Sequence, residues 1–206
     1  MEIQITNTPN KVRLFEGDYV KDLNPVDVVE IFKTPLTGSY NWDYTVQDNR
    51  IKKLYELGKE LNWNVESDLD WSPEFEGMGD EEFDFEDNQW SNHPVYKEMP
   101  RWKRKEFFHD LSSWSVSQFL HGEQGALLVA SQLASCAPTF NAKLYAASQT
   151  FDEARHVEAF NKYLQTRIKK SWPIGAALKG LLDKILTDPR WDLKFIGMQV
   201  VIEGLA

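Results

Sequence analysis

The sequence predicts an all-α protein in which a helical bundle, residues 100–206, follows a mixed N-terminal extension, residues 1–99. The C-terminal half reads as almost continuous helix, and Pro138, Pro173 and Pro189 divide it into separate helices, because proline removes a backbone donor and clashes with the preceding turn. The 206 residues are 42% hydrophobic and 27% charged. This composition is typical of a globular chain long enough for one domain with a core.

The N-terminal extension carries two helix signals and an acidic segment. Asn24-Pro25 has the pattern of an N-cap followed by proline, and it predicts a short helix that reaches Phe32. Residues 46–61 have apolar side chains at helical spacing and predict an amphipathic helix. Eight of the fourteen residues in 74–87 are acidic. A cation-binding loop is one interpretation, but the calcium-hand spacing is absent, so a solvated acidic loop is favoured.

Four helices are predicted in the bundle, over residues 100–137, 139–168, 174–186 and from 191 to the end. Pro138 then marks the turn between the two long helices, which we expect to form an antiparallel hairpin.

Charge and composition limit the classes of function. The formal net charge of −9 argues against binding to nucleic acid or to an anionic membrane surface. The sequence has no apolar run long enough to span a bilayer and no signal-peptide pattern at its start. The single cysteine, Cys136, has no internal disulfide partner and suits a reducing compartment, so we expect a cytoplasmic protein.

The most informative motif is Glu153-Ala-Arg-His156 on the second long helix. A Glu and a His three residues apart lie on one helical face, which is the spacing with which helical di-iron and di-manganese proteins present a carboxylate and an imidazole to metal. By itself the spacing is weak. Glu123 adds to it, because this acid falls on the apolar stripe of the first long helix, where a bare carboxylate is costly. An acid that simply reaches the surface is the alternative.

Glu123 lies fifteen residues before Pro138, and Glu153 lies fifteen residues after it. In an antiparallel hairpin both are therefore about 22 Å from the turn at 1.5 Å per residue, and we expect them to face each other. A third acid, Glu203, is the only charged residue in 195–206, a segment that we expect to be buried on most sides. A helix end that runs into solvent is the alternative for Glu203.

Asp152-Glu-Ala-Arg-His156, preceded thirty residues earlier by Glu123, resembles the ferritin-like di-iron carboxylate oxygenases. The resemblance is greatest to the hydroxylase subunits of bacterial multicomponent monooxygenases. The small subunit of class I ribonucleotide reductase and the para-aminobenzoate N-oxygenases are more distant. The resemblance covers about residues 100–206. It implies a ferritin-like bundle whose metal ligands are Glu123, Glu153, His156 and Glu203, with no catalytic residue beyond them.

The resemblance also implies the chemistry. Two iron ions, or manganese in their place, would activate dioxygen to hydroxylate, desaturate or N-oxygenate a small organic substrate. A ferredoxin or a flavin reductase would supply electrons. Asp152 would orient a histidine of the opposite half-site, and Arg155 would pair with such an acid; without the family, surface ion pairs are the simpler interpretation. A homodimer is the expected assembly, although the sequence itself does not distinguish it from a monomer.

The sequence departs from the family pattern in one respect. The family site takes four carboxylates and two histidines, whereas three carboxylates and one histidine are found here. A second Glu-x-x-His is expected after Glu203, but the sequence ends three residues later. We therefore expect a chain truncated before the second motif, or a second polypeptide that supplies it. His121, two residues from Glu123, should face away from it, and His109 and His93 do not fill the gap.

Small and apolar residues flank the expected site. Small residues there could leave space for substrate or dioxygen, but close approach of helices is the favoured interpretation. A phenylalanine, Phe160, stands where the reductase relatives place a radical-forming tyrosine, which favours an oxygenase or oxidase. Two other functions stay open: ferritin-type iron handling, and a non-catalytic helical subunit or fragment that binds a partner chain. The expected lining residues are Phe119, Gly122, Ala126, Leu127, Phe160 and Ile202.

Overall fold

The computed structural model describes residues 13–14, 44–46, 48–72 and 88–204. Within these ranges the prediction of an all-α protein is confirmed, since the regular elements are helical apart from one two-residue ladder. The short helix predicted to end at Phe32 and the acidic segment 74–87 lie outside the described residues. In the described part, no helix is both long enough and apolar enough to cross a bilayer.

The predicted helices that fall in the described residues begin and end within a few residues of their expected bounds. In chain order the elements are β1 (Arg13–Leu14), α1 (Asn49–Glu60), α2 (Pro94–Glu98), α3 (Arg101–Cys136), α4 (Phe140–Tyr163), which continues as a π-helical turn (Leu164–Ile168), β2 (Lys170–Ser171), α5 (Ala176–Thr187) and α6 (Trp191–Phe195), which continues as a π-helical segment (Ile196–Ile202).

Local chemistry explains where the helices begin and end. The Asp48 side chain accepts a hydrogen bond from the backbone N–H of Arg50 at 2.8 Å and so caps α1. Thr139 caps α4 in the same way, next to Pro138 in the short turn from α3. Lys169, with φ of 59°, ends the π-helical turn after α4. It is followed directly by β2, which pairs antiparallel with β1.

The hairpin of α3 and α4 is the centre of the fold. Helix α1 packs along α4, and α5 and α6 pack against α3. The core lies where α3, α4, α5 and the C-terminal π-helical segment meet, and its buried apolar members are Ala126, Val129, Leu133, Ala146, Leu182, Ile185, Leu186 and Met198.

The first half of α3 uses polar side chains to hold the 170–175 connection. The Ser113 hydroxyl donates to the Lys170 carbonyl at 2.8 Å, and His121 Nε2 donates to the Trp172 carbonyl at 2.9 Å. These bonds attach the 170–175 connection to α3. A backbone carbonyl thus occupies Nε2 of His121, and His121 is not one of the residues grouped with Glu123.

The expectation that 195–206 is buried on most sides is wrong for its described part. Met198 is fully buried, but Ile196 is 47% exposed and Val200 is 56% exposed. The segment contacts the core along one side, where Gly197 lies against Ile185, and its other side is exposed.

Candidate metal centre

Glu123, Glu153 and His156 meet where α3 and α4 face each other. His156 Nδ1 lies 3.2 Å from Glu123 Oε2 and 3.1 Å from Glu153 Oε2. One ligand atom from each of the three residues falls within 4.8 Å of the other two. The predicted register of the hairpin is therefore confirmed, because Glu123 and Glu153, fifteen residues before and after Pro138, contact the same imidazole.

The cluster lies at the edge of the core, with one closed side and one open side. The Glu153 side chain is 9% exposed and that of Glu123 is 19% exposed, whereas the His156 side chain is 40% exposed. Ala126, three residues after Glu123, is fully buried in the core. The two carboxylates are thus held in partly desolvated surroundings, and the imidazole faces the open side.

The charges in the cluster depend on one another. Hydrogen bonds to Glu123 and Glu153 raise the pKa of His156 to about 10. Burial alone would raise the pKa of Glu123, but its hydrogen bonds with His156 and Glu153 outweigh burial and lower it. The pKa of Glu153 is raised by burial and by the neighbouring carboxylate, although the hydrogen bond with His156 opposes this. A half-buried pair of acids around one imidazole therefore attracts positive charge.

The donor set fits a transition-metal ion. Ligands that share one ion through bonds of about 2.0–2.2 Å lie up to about 4.4 Å apart, and both Nδ1-to-oxygen distances are well inside this limit. Two carboxylate oxygens and one imidazole nitrogen suit iron or manganese, whereas the thiolates that soft metals prefer are absent from this group. Glu123, Glu153 and His156 would hold the ion.

Glu203 differs from its prediction. Glu203 is exposed over part of its surface and is not a member of the three-residue group. Its carboxylate still lies close enough for the charge of Glu123 to raise its pKa, in addition to the larger effect of burial, while the charge of His156 lowers it. It follows the π-helical segment directly, and its N–H donates to the Met198 carbonyl at 2.9 Å. Glu203 is thus a charged neighbour of Glu123 and His156 and lies outside the group of three clustered ligands.

Asp152 and Arg155 pair with each other one turn apart on α4. Arg155 is 5% exposed, so the interpretation as a surface ion pair is wrong for this residue. Its guanidinium donates to the Asn62 side chain and, at 3.1 Å, to the Trp63 carbonyl. The pair therefore holds the residues that follow α1 against α4, next to the metal-binding group.

Trp63 is part of this site and was not predicted from the sequence. Its ring stacks on the His156 imidazole, with ring centroids 6.1 Å apart and an interplanar angle of 29°. The Arg155 guanidinium lies 5.1 Å from the centroid of the same ring. The only signal in the sequence is that two tryptophans, Trp63 and Trp71, come soon after the amphipathic helix. Their spacing does not connect either of them to His156, which is more than ninety positions away.

The expected lining residues are divided between the core and the surface. Phe119 and Phe160 stack with ring centroids 6.0 Å apart, and Phe119 is 50% exposed. Leu127 and Ile202 are half-buried, and Ala126 belongs to the core. Gly122 has open space where a Cβ would stand.

Helix packing explains a neighbouring glycine. A Cβ on Gly125 would lie 2.5 Å from a terminal carbon of Leu182, so at this position a small residue does permit close approach of α3 and α5.

The arrangement as a whole can bind a divalent cation between α3 and α4, with an aromatic side chain over its imidazole ligand and a further acid nearby. Searches of protein-family models, of curated proteins and of solved structures find no match to this chain.

Proposed function

We propose that this chain is a non-haem di-iron oxidoreductase of the ferritin-like class, an oxygenase or oxidase that uses dioxygen to oxidise a small organic substrate. The observation that supports it is the convergence of Glu123, Glu153 and His156 from two antiparallel helices. Such a set of carboxylate and imidazole ligands on facing helices is how this class holds its metal.

The residues of the chain have distinct parts in this proposal. Glu123 and Glu153 supply negative charge from the closed side of the site, and His156 supplies nitrogen from the open side. Together these three residues would hold reduced iron, which would provide the electrons for the activation of dioxygen. The stacked pair Phe119 and Phe160 gives an apolar surface on the adjacent turns of α3 and α4, suited to an organic substrate. A ferredoxin or a flavin reductase is the proposed electron donor, and a homodimer the proposed assembly.

The test is metal content combined with a reaction with oxygen. The purified chain is loaded anaerobically with Fe²⁺, desalted and analysed for iron, and then exposed to oxygen while its absorbance is recorded. We expect bound iron and an oxygen-dependent absorbance band. His156→Gln should lose most of the iron. His109→Gln should keep it, because His109 is an exposed residue of the same helix as Glu123 but lies far from the cluster.

Equal iron content in the wild type, His156→Gln and His109→Gln would contradict the proposed site. Iron that accumulates far beyond site stoichiometry would indicate ferritin-type handling instead. One observation favours a second candidate, a helical subunit that binds a partner chain: apolar side chains of the C-terminal segment, including Phe195, Ile196, Val200 and Val201, are between 39% and 56% exposed. Absence of bound metal, together with a stable complex through this surface, would favour that candidate.

A further inference from the structure

The strap, defined as residues 61–72 after α1, is attached along α4 by basic side chains at three levels. Arg155 donates to the Asn62 side chain and the Trp63 carbonyl. Lys162 forms an ion pair with Glu66 at 2.5 Å. Further along, Arg167 donates to the Trp71 carbonyl. These three attachments fix the position of the strap along the axis of α4, and they thereby fix the position of Trp63.

The first of these attachments lies beside the metal-binding group. Arg155 immediately precedes His156, is buried, and contacts both the carbonyl and the ring of Trp63. The central carbon of the guanidinium also lies 5.0 Å from the centroid of the Phe151 ring. Because Arg155 is enclosed in this way, the Trp63 backbone cannot shift along α4 without breaking a hydrogen bond of a buried charged group.

The Trp63 ring then acts on His156. The two rings are within 29° of parallel, so the indole stacks against one face of the imidazole, and the His156 side chain keeps 40% of its surface exposed. The carboxylates of Glu123 and Glu153 hold the Nδ1 edge of the same imidazole. One edge and one face of the ring are thus fixed by groups from three different segments of the chain.

We propose that Trp63 is a positioning residue of the metal centre, which sets the plane of the His156 imidazole and shields one face of this ligand from water. This inference rests on the proposed metal site. Groups that orient a metal-ligating histidine commonly change metal affinity by about 10- to 100-fold when they are removed. Stacking by an indole from the strap does here what a hydrogen-bonded carboxylate does at other sites.

The first experiment measures affinity for Co²⁺ alone, a spectroscopic probe, in the full chain under anaerobic conditions. Trp63→Leu should weaken binding by about tenfold or more and change the visible Co²⁺ spectrum, because the ligand plane is released. Trp63→Phe keeps an aromatic ring on the imidazole and should restore most of both. Trp102→Leu is the matched control, since Trp102 is 68% exposed on the first turn of α3. Equal affinities in the wild type, Trp63→Leu and Trp102→Leu would overturn the inference.

The second experiment needs no metal. In the metal-free chain, the indole should shift the ring-proton NMR signals of His156, assigned by their loss in His156→Gln. Trp63→Leu should move these signals and Trp102→Leu should not. If the signals do not move in Trp63→Leu, Trp63 does not stack on His156 and the inference is overturned, whatever the metal result. If the wild type shows the shift but binds no Co²⁺, the proposed metal site fails while the placement of Trp63 on His156 stands.

Discussion

Binding of metal should stabilise the folded chain, and the structure ranks the residues on which this stabilisation depends. An ion that binds only the folded state adds about 2.7 kcal/mol when its free concentration is 100 times the dissociation constant. For a chain of about 200 residues each kcal/mol raises the melting temperature by about 2–4 °C, so we expect a rise of about 5–11 °C for the wild type. This rise is the quantity to compare between variants.

Loss of His156 removes the nitrogen that lies between both carboxylates. If His156→Gln weakens binding by about 100-fold, the stabilisation at the same metal concentration falls to about 0.4 kcal/mol, which is about 1–2 °C. Glu153→Gln should act similarly because Glu153 is the most buried ligand. Glu203→Gln should keep most of the rise, because Glu203 is exposed and lies outside the three-residue group.

The assay is thermal unfolding by circular dichroism or calorimetry, without metal and with a series of Fe²⁺ or Co²⁺ concentrations under anaerobic conditions. Each variant is compared with its own metal-free form, so that a change in intrinsic stability does not enter the result. A rise that is the same in His156→Gln as in the wild type would refute the assignment of this residue as a ligand. A rise that disappears in Glu203→Gln alone would refute the ranking taken from the geometry.

Three further predictions concern stability. Gly125→Ala should lower the free energy of unfolding by about 1–3 kcal/mol, because the added methyl group meets a leucine of α5. Gly180→Ala should raise the free energy of unfolding by about 0.5–1 kcal/mol, because the glycine faces open space within α5. A change of the same sign in both variants, measured by urea denaturation, would contradict this prediction. Lys194→Met should cost about 1–3 kcal/mol at neutral pH, because the buried amine donates to two carbonyls at the end of α5. Burial lowers the pKa of Lys194, so the folded state holds the lysine proton less tightly than the unfolded state does. The free energy of unfolding of the wild type, relative to Lys194→Met, should therefore grow as pH rises towards the ordinary lysine pKa. A difference between the two proteins that does not depend on pH would contradict this prediction. Arg155→Gln should make the strap accessible to limited proteolysis near Asn62 under native conditions, and unchanged cleavage would show that Arg155 does not hold it.

The helices and the register of the hairpin were predictable because both depend on local sequence. Apolar periodicity and proline positions give the ends of α3 and α4, and a constant rise per residue then places Glu123 opposite Glu153. The position of Glu203 was not predictable in the same way. A run of apolar residues indicates that a segment has a buried side, but Met198 alone of the described residues in this π-helical segment is buried. How many sides are covered depends on neighbours that the run does not encode.

The missed contribution of Trp63 has a different cause. Residues 61–72 have no helical or strand period, so no face of the strap can be assigned from the sequence. Their attachment depends on Arg155, Lys162 and Arg167, charged residues that on a helix are normally assigned to the solvent side. Here Arg155 is buried and Lys162 is largely covered, because both lie under the strap.

The charges of the cluster are compatible with the proposed divalent cation. With both carboxylates ionised and His156 protonated, Glu123, Glu153 and His156 together carry one net negative charge, and Glu203 adds another nearby. A divalent ion bound to the neutral imidazole would balance the charge of the two carboxylates and would also attract Glu203. Burying two acids 9% and 19% exposed is costly without such compensation. A single imidazolium compensates only half of that charge, and the raised pKa of Glu153 indicates that protonation of this acid would compensate the rest in the metal-free chain. The proposed divalent ion would take the place of both protons.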